Sequence, residues 1–455
     1  MTQNPKFHRV LLVGSFSWFN ANGITVHNLF SRWPPVGLLS MISTNIDDIS
    51  EVYSNLIQDY YFLGNTETYV KWPLSLMFKA SPSKYLQIQS KEDLQSHSTI
   101  KSNKPITKKV DKKKSFLLSI RYKLIYLLGL RIRLKKRNIS PELNKWITRI
   151  NPDFIYCTSS SIDEMDFAIS LKKEFPNSHL IFHTFDDFIH SRYQETLCPI
   201  YWKYQLKKNF TKLLRYTDLN LTISQKMANE YHQKYGKEFY SFHNTVDLPF
   251  WQSKTKDNTD LYSKSFTFLY TGKINEDTGD VIKLFYSGVK QLKNEGINVQ
   301  FKIFSTTEVN ILKLILGSLT EEISIEKIGY NELPERMVKA DALLLPLNSN
   351  KQTIKYIRLS MPTKATEYMA IRKPIFLFTP RNIAVTEYLI EHDAAFFVDS
   401  NSSVEKVKSK IRDFISDSTR RNQITDNAYN LCVERHTIES VTERLLSLMN
   451  KVYKL

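Results

Sequence analysis

Ser360-Met361-Pro362-Thr363-Lys364-Ala365-Thr366-Glu367-Tyr368-Met369-Ala370, followed by Arg372-Lys373 and the apolar run from Pro374 to Thr379, is the stretch on which the reading of this chain turns. Pro362 cannot continue a helix from upstream but suits a first turn, so a helix is expected to begin at 362–363. The free N–H groups and dipole of such a helix end attract an anion, and a diphosphate has suitable charge. Lys364 falls in the first turn and adds a full positive charge. Glu367, three residues later, occupies a neighbouring position on the same face. A carboxylate there can accept hydrogen bonds from the hydroxyls of a ribose, so one helix end would hold the phosphates and the sugar of a nucleotide. The spacing by itself also describes a capped helix with a surface Lys–Glu pair.

Around this stretch strands and helices alternate. Ser265 to Tyr270, Val299 to Phe304, Ile323 to Ile328 and Asp341 to Leu347 read as strands, with helices expected over Val281 to Asn294 and Glu332 to Lys339. The first half repeats the pattern with strand-length runs at His8 to Val13, Asp153 to Cys157, His179 to His183 and Leu219 to Ile223. Helical spacing follows at Ile24 to Trp33, Ile162 to Phe175 and Gln225 to Tyr235, the last with Ser224 as its cap and Gly236 at its end. Alternation of this kind implies parallel sheets with right-handed crossovers. The fold class expected is therefore α/β, with two doubly wound domains facing a cleft. Ligands in such sheets bind beyond the carboxyl ends of the strands. The boundaries drawn are an N-terminal domain over 1–245, a linker over 246–264, a second domain over 265–435, and a C-terminal helix over 436–455 that can cross back to the first domain.

A chain of 455 residues is too long for one ordinary core, which agrees with that division. With 42% hydrophobic residues and only 12 Gly and 16 Pro, low-complexity and collagen-like classes are excluded. The three cysteines, Cys157, Cys198 and Cys432, are far apart and form no C-x-x-C pair. Neither a disulfide framework nor a zinc site is expected, and a reducing, cytoplasmic setting fits. The start of the chain lacks a secretory leader pattern, and no run of apolar residues is long enough to span a bilayer.

The net charge is +17, and it is concentrated: between Lys101 and Arg137 there are fourteen Lys or Arg and one acid, Asp111. That segment carries +13 and leaves the rest of the chain about +4. Within 108–137 the basic residues flank Phe116, Leu117, Leu124, Leu127, Leu130 and other apolar side chains. The expectation is an amphipathic helix lying on an anionic membrane surface, each basic residue adding about 1 kcal/mol. A nucleic-acid partner is not expected, because the basic patch is confined and no recognition motif accompanies it.

Pro362 to Ile375 resembles the P-x-K-x-x-E-Y-[ML]-A-x-x-[KR]-P-[IV] signature of GT-B glycosyltransferases, especially the retaining family 4-like group also called group 1. Other pieces occur in that family's order. Leu269 to Lys273 (LYTGK) is similar to its strand-then-Gly-basic motif, Gly329 to Leu347 to the block where the base lies, and Asn244 to Asp247 (NTVD) to its domain-junction motif. The resemblance covers 219 to 380 and implies two Rossmann-like domains, with the nucleotide sugar held by the second. It implies that Lys273 and Lys364 neutralise the donor diphosphate and that Glu367 binds the ribose. Gly272, Tyr330, Ser360 and Thr363 complete the expected donor set. Three departures stand out, one of them Thr245 in place of the usual glycine of the junction motif. The position eight residues before Glu367, where many relatives carry a second glutamate facing the donor sugar, is Leu359, and the usual Arg–Lys pair after the glycine is reduced to Lys273.

In the first half, Gly23 could bring backbone N–H groups close to the donor phosphates. His183-Thr184-Phe185-Asp186-Asp187-Phe188 follows a strand. By the family's pattern Asp186 stands where a histidine is common and Asp187 on the following acid. The pair could orient or deprotonate an acceptor hydroxyl, or cap the next helix. The resemblance thus implies a glycosyltransferase of polysaccharide biosynthesis (capsule, lipopolysaccharide or exopolysaccharide). It would use a nucleotide-diphosphate sugar as co-substrate with no cofactor and no metal. The basic membrane helix, and that helix alone, points to a polyprenyl-linked or cell-surface glycan as acceptor, reached from the inner face of the membrane. The alternatives are a non-catalytic membrane-associated scaffold subunit and a nucleotide-sugar epimerase.

Overall fold

A computed structural model of the protein describes residues 7–14, 16, 21–34, 38–43, 56–57, 59–70, 82–87, 123–124, 127–129, 135–192, 196–252 and 265–454. The chain divides into two compact units: Met1–Phe242 with Thr442–Leu455, and His243–Val441.

The N-terminal unit is built on an eight-stranded sheet. Its strands are β1 (Val10–Val13), β2 (Leu39–Ser43), β3 (Asp59–Phe62), β5 (Lys84–Gln87), β7 (Phe154–Cys157), β8 (His179–Thr184), β9 (Leu219–Thr222) and β10 (Tyr240–Ser241). The order is β10-β9-β8-β7-β1-β2-β3-β5, parallel throughout except for β5, which runs against β3. Strands β1, β7 and β9 are buried along their whole length; β1 and β7 read as continuous apolar runs, whereas β9 alternates Leu219 and Leu221 with buried Asn220 and Thr222. Strands β2 and β3 are as deeply placed, but Leu39–Ser43 and Asp59–Phe62 mix serine, aspartate and tyrosine with the apolar residues and were not anticipated from the sequence. The first helix is Ala21–Phe30, three residues ahead of the expected start. Trp33 lies beyond its end, with the indole donating to the His8 carbonyl at 2.9 Å.

A two-stranded ladder joins β4 (Thr68–Val70) to β6 (Lys135–Arg137). This corrects part of the expected membrane helix over 108–137. Its last three residues are strand, and Arg137 faces Asp163 and Glu164 at 3.5 and 3.6 Å rather than an outside surface. Most of the remainder of 101–137 lies outside the described residues. Among the described residues no helix is long and apolar enough to cross a membrane.

The second unit carries β11 (Phe266–Thr271), β12 (Val299–Phe304), β13 (Ser324–Glu326), β14 (Ala342–Pro346), β15 (Ile375–Thr379) and β16 (Phe396–Asp399). All are parallel, in the order β13-β12-β11-β14-β15-β16. Phe268, Phe285, Phe376 and Phe414 meet mostly edge to face at 5.2–5.7 Å and form the centre of its core, a geometry that suits the ring quadrupoles. The helix expected from Val281 begins five residues earlier, at Glu276. Asn275 caps it by accepting from the Thr278 amide at 2.9 Å, and two acids fill the first turn. The stretch read as a linker also differs. A helix occupies Leu248–Gln252, anchored by buried Trp251, and the division between units falls after Phe242. The last helix, Ile438–Tyr453, belongs to the N-terminal unit from Thr442 onward, where Asn450 Oδ1 lies 2.8 Å from His8 Nε2.

Candidate functional site

The strand order of the second unit reverses between β11 and β14, because the chain winds outward through β12 and β13 before returning to β14. At such a point the connections leave in opposite directions and open a crevice beyond the carboxyl ends of the strands. The crevice is therefore bordered by Gly272 after β11 and by Leu347 after β14.

The Thr363–Ala370 helix is tied to this place by two side chains one turn apart, both directed at β11. The Tyr368 hydroxyl accepts from the Thr271 amide at 3.1 Å and lies 3.1 Å from the Thr271 hydroxyl. Lys364 Nζ donates to the Tyr270 hydroxyl at 3.0 Å and lies 4.6 Å from that ring's centroid. The Tyr270 hydroxyl donates in turn to the Lys273 carbonyl at 2.8 Å. Asn244 fixes the chain entering the helix by donating to the Met361 carbonyl at 2.6 Å. Pro362 is the cap residue, and no side chain caps the first turn, which leaves its N–H groups for an anion.

Gly272 lets the lysine reach this position. Its φ is +136°, and a Cβ there would stand 2.2 Å from Lys364 Nζ. Gly272→Ala is expected to displace the ammonium and strain the turn. If the helix end holds the nucleoside diphosphate expected from the sequence, affinity for it should fall about tenfold, equivalent to about 1.4 kcal/mol, as read by titration calorimetry. Unchanged affinity would show that Lys364 does not need this place.

Glu367 lies on the adjoining face of the same helix, partly buried. Burial pushes its carboxyl up to about 7, against the opposing pull of the Lys364 ammonium and a hydrogen bond from Tyr330. Burial raises the Tyr330 phenol well above its ordinary range, so it stays protonated and donates. Its ring is stacked on Phe250 at 5.5 Å and 7°, with Trp251 edge-on at 6.0 Å. Lys364, Glu367, Gly272 and Tyr330 thus come together. Lys273 is exposed, and its hydrogen bond in the site comes from its carbonyl. The Ser360 hydroxyl donates to the Tyr356 carbonyl at 3.1 Å, and the Thr363 carbonyl accepts from Thr366 at 2.8 Å. Leu359 is buried.

In the N-terminal unit, Asp186 and Asp187 part company. Asp186 is exposed after β8. Asp187 is buried, accepting from the Tyr231 hydroxyl at 3.0 Å and pairing with His190 Nδ1 at 2.6 Å. The paired-carboxylate expectation is corrected here: the second acid is committed to an internal network. It precedes the Phe188–Ser191 helix without a side-chain cap bond. Gly23 is buried in the first turn of Ala21–Phe30. Among the described residues no three His, Cys, Asp or Glu side chains gather as metal ligands.

Sequence reasoning missed the supports of the site. Tyr270 reads as a strand residue, Phe250 and Trp251 fall in the expected linker, and Tyr368 stands in the motif without an assigned role. The one available signal was Tyr368, which stands inside the quoted motif one turn after Lys364.

Residues 251–431 match the family model described as glycosyl transferases group 1. No curated protein matches the chain in sequence. Among solved structures, it resembles the catalytic domain of starch synthase IV from Arabidopsis thaliana bound to ADP and acarbose, at 9% identity and TM-score 0.59, covering 99% of this chain and 100% of that one. Sucrose-phosphate synthase from Thermosynechococcus elongatus matches at 9% identity and TM-score 0.57, covering 98% and 99%. An α,α-trehalose 6-phosphate synthase from Burkholderia multivorans matches at 11% identity and TM-score 0.57, covering 99% and 98%. At such identities the likeness to these structures is one of fold.

Proposed function

We propose that this glycosyltransferase of the GT-B fold, with its group 1 domain over residues 251–431, moves a sugar from a nucleotide-diphosphate sugar onto a lipid-linked or cell-surface glycan, with retention of anomeric configuration. The observation that carries the donor assignment is Lys364 Nζ lying over Gly272 at an uncapped helix end, with Glu367 on the next face. In this reading the helix N–H groups and Lys364 bind the diphosphate and stabilise the charge that grows on it as the glycosidic bond breaks. Glu367 accepts from the ribose hydroxyls, and the Tyr330–Phe250 stack borders the base. Exposed Lys273 is assigned to the outer side of the diphosphate, and Asp186 to the acceptor hydroxyl. The donor is a co-substrate, and the two lysines and the helix end supply the positive charge the leaving group requires. The basic segment 101–137 supports a membrane-bound acceptor, reached from the inner face of the cell membrane.

The experiment is a thermal-shift screen of nucleoside diphosphates and their sugars, followed by transfer assays on a polyprenyl-linked acceptor. A ligand at a hundred times its Kd stabilises by about 2.7 kcal/mol. One nucleotide family should raise the melting temperature of the wild type and leave Lys364→Ala/Glu367→Ala unmoved. No shift from any nucleotide would sink the enzyme reading in favour of a scaffold, which buried Leu359 at the usual acidic position favours. Interconversion of the free donor without transfer would point to an epimerase.

A further inference from the structure

The helix Pro199–Leu213 of the N-terminal unit buries Trp202, Leu206, Phe210 and Leu213. Its opposite face is open, and over the first two turns it presents large apolar side chains beside lysine: Ile200 is 85% exposed and Tyr204 59%, with Lys203 exposed between them. The residue leading into the helix, Leu197, is 68% exposed. Leu127 and Leu128 lie alongside. The Leu197 amide donates to the Leu127 carbonyl at 2.7 Å, and the Trp202 indole donates to the Leu128 carbonyl at 3.2 Å. Gly129, at φ +65°, allows this approach, because a Cβ there would collide with the Trp202 indole. Leu124 and Leu127 are exposed as well. Contiguous exposed apolar surface of this kind marks an interaction site.

The charge around the patch says with what. Lys203, Lys207 and Lys208 are exposed on the same helix, which contains no acid in its fifteen residues, and exposed Lys123 opens the neighbouring segment. Isoleucine and tyrosine flanked by lysines is the composition of a surface that enters a headgroup layer. The apolar side chains sink, the phenols stop at the polar level, and the long ammonium stems reach back to anionic groups.

We propose that this helix face, with Leu124 and Leu127 beside it, is the docking surface of the protein for an anionic lipid bilayer. It deepens the reading of a membrane-bound acceptor, but stands on exposure and charge and not on the donor site.

The test is co-sedimentation of the full chain with phosphatidylcholine vesicles made with and without phosphatidylglycerol. The wild type should sediment with the anionic vesicles and not with the neutral ones. Ile200→Ser/Tyr204→Ser and, separately, Lys203→Glu/Lys207→Glu should each weaken binding about tenfold or more. Unchanged circular-dichroism melts would verify that both fold. Leu314→Ser, which changes an 83% exposed leucine of the second unit, should bind as the wild type does. The proposal is overturned if the wild type ignores phosphatidylglycerol, if both double variants bind normally, or if Leu314→Ser loses as much. It is equally overturned if the wild type is a dimer in solution that Ile200→Ser/Tyr204→Ser dissociates, which would assign the face to a second copy. Vesicle binding and nucleotide shifts are read separately. Failure of the donor assignment therefore leaves this result intact, and failure here leaves the donor site intact.

Discussion

Lys364→Ala is expected to lower kcat/KM for sugar transfer about a thousandfold, or roughly 4 kcal/mol of transition-state stabilisation. Its ammonium is the charge held at the helix end, 3.0 Å from the Tyr270 hydroxyl. Negative charge on the leaving diphosphate grows as the glycosidic bond breaks, so the loss should fall on kcat as well as on KM. The fold should survive, because the side chain is partly exposed and Tyr368 still ties the helix to Thr271. Steady-state kinetics on the wild type and the variant, with melts of both, decide it. A loss of less than about tenfold in kcat/KM would mean that the diphosphate binds elsewhere. Lys273→Ala should cost less, since its exposed ammonium works in higher dielectric.

The second large effect concerns Glu367. Its carboxyl titrates near 7 in the free protein because burial outweighs Lys364 and Tyr330. If Glu367 accepts from two ribose hydroxyls as proposed, the ionised form is favoured in the complex, and donor binding should release a proton. Affinity for a nucleotide sugar should therefore weaken as pH falls through 7, by about tenfold between pH 8 and pH 6. Calorimetry should show that dependence in the wild type and a flat, weak profile in Glu367→Gln. A steep profile that persists in Glu367→Gln would assign the titration to another group. Stability should move the other way. A carboxyl raised above its usual value favours the fold at low pH, and that contribution is lost as pH rises from about 4.5 through 7. Glu367→Gln removes the cost of the buried charge and should stabilise the unliganded protein at pH 8 by about 1–3 kcal/mol. In the proposed reading the residue would hold the donor at the expense of the empty fold.

The sequence by itself determined the fold class and the helix on which the proposed donor site is built. Strands buried on both faces, such as Phe154–Cys157 and Ala342–Pro346, are short continuous apolar runs, and the parallel sheet follows from their alternation with helices. Thr363–Ala370 could be placed to within a residue because Pro362 marks its start by a local backbone constraint. Glu367 and Lys364 stood out because one turn of helix fixes their spacing whatever surrounds it.

Only the tertiary structure decided what those local rules could not reach. Leu248–Gln252 looked like linker because a five-residue helix has no period to read, and the burial of Trp251 beside Tyr330 holds it. Asp186 and Asp187 are equivalent in sequence, yet one faces water and the other is taken by Tyr231, forty-four positions away. Lys135–Arg137 looked like the tail of a basic helix, but pairing with Thr68–Val70 makes it a strand. The Glu367 carboxyl rises to about 7 through burial that no short window of sequence records. In each case the deciding energy is a contact between residues distant along the chain, and local pattern carries no information about such contacts.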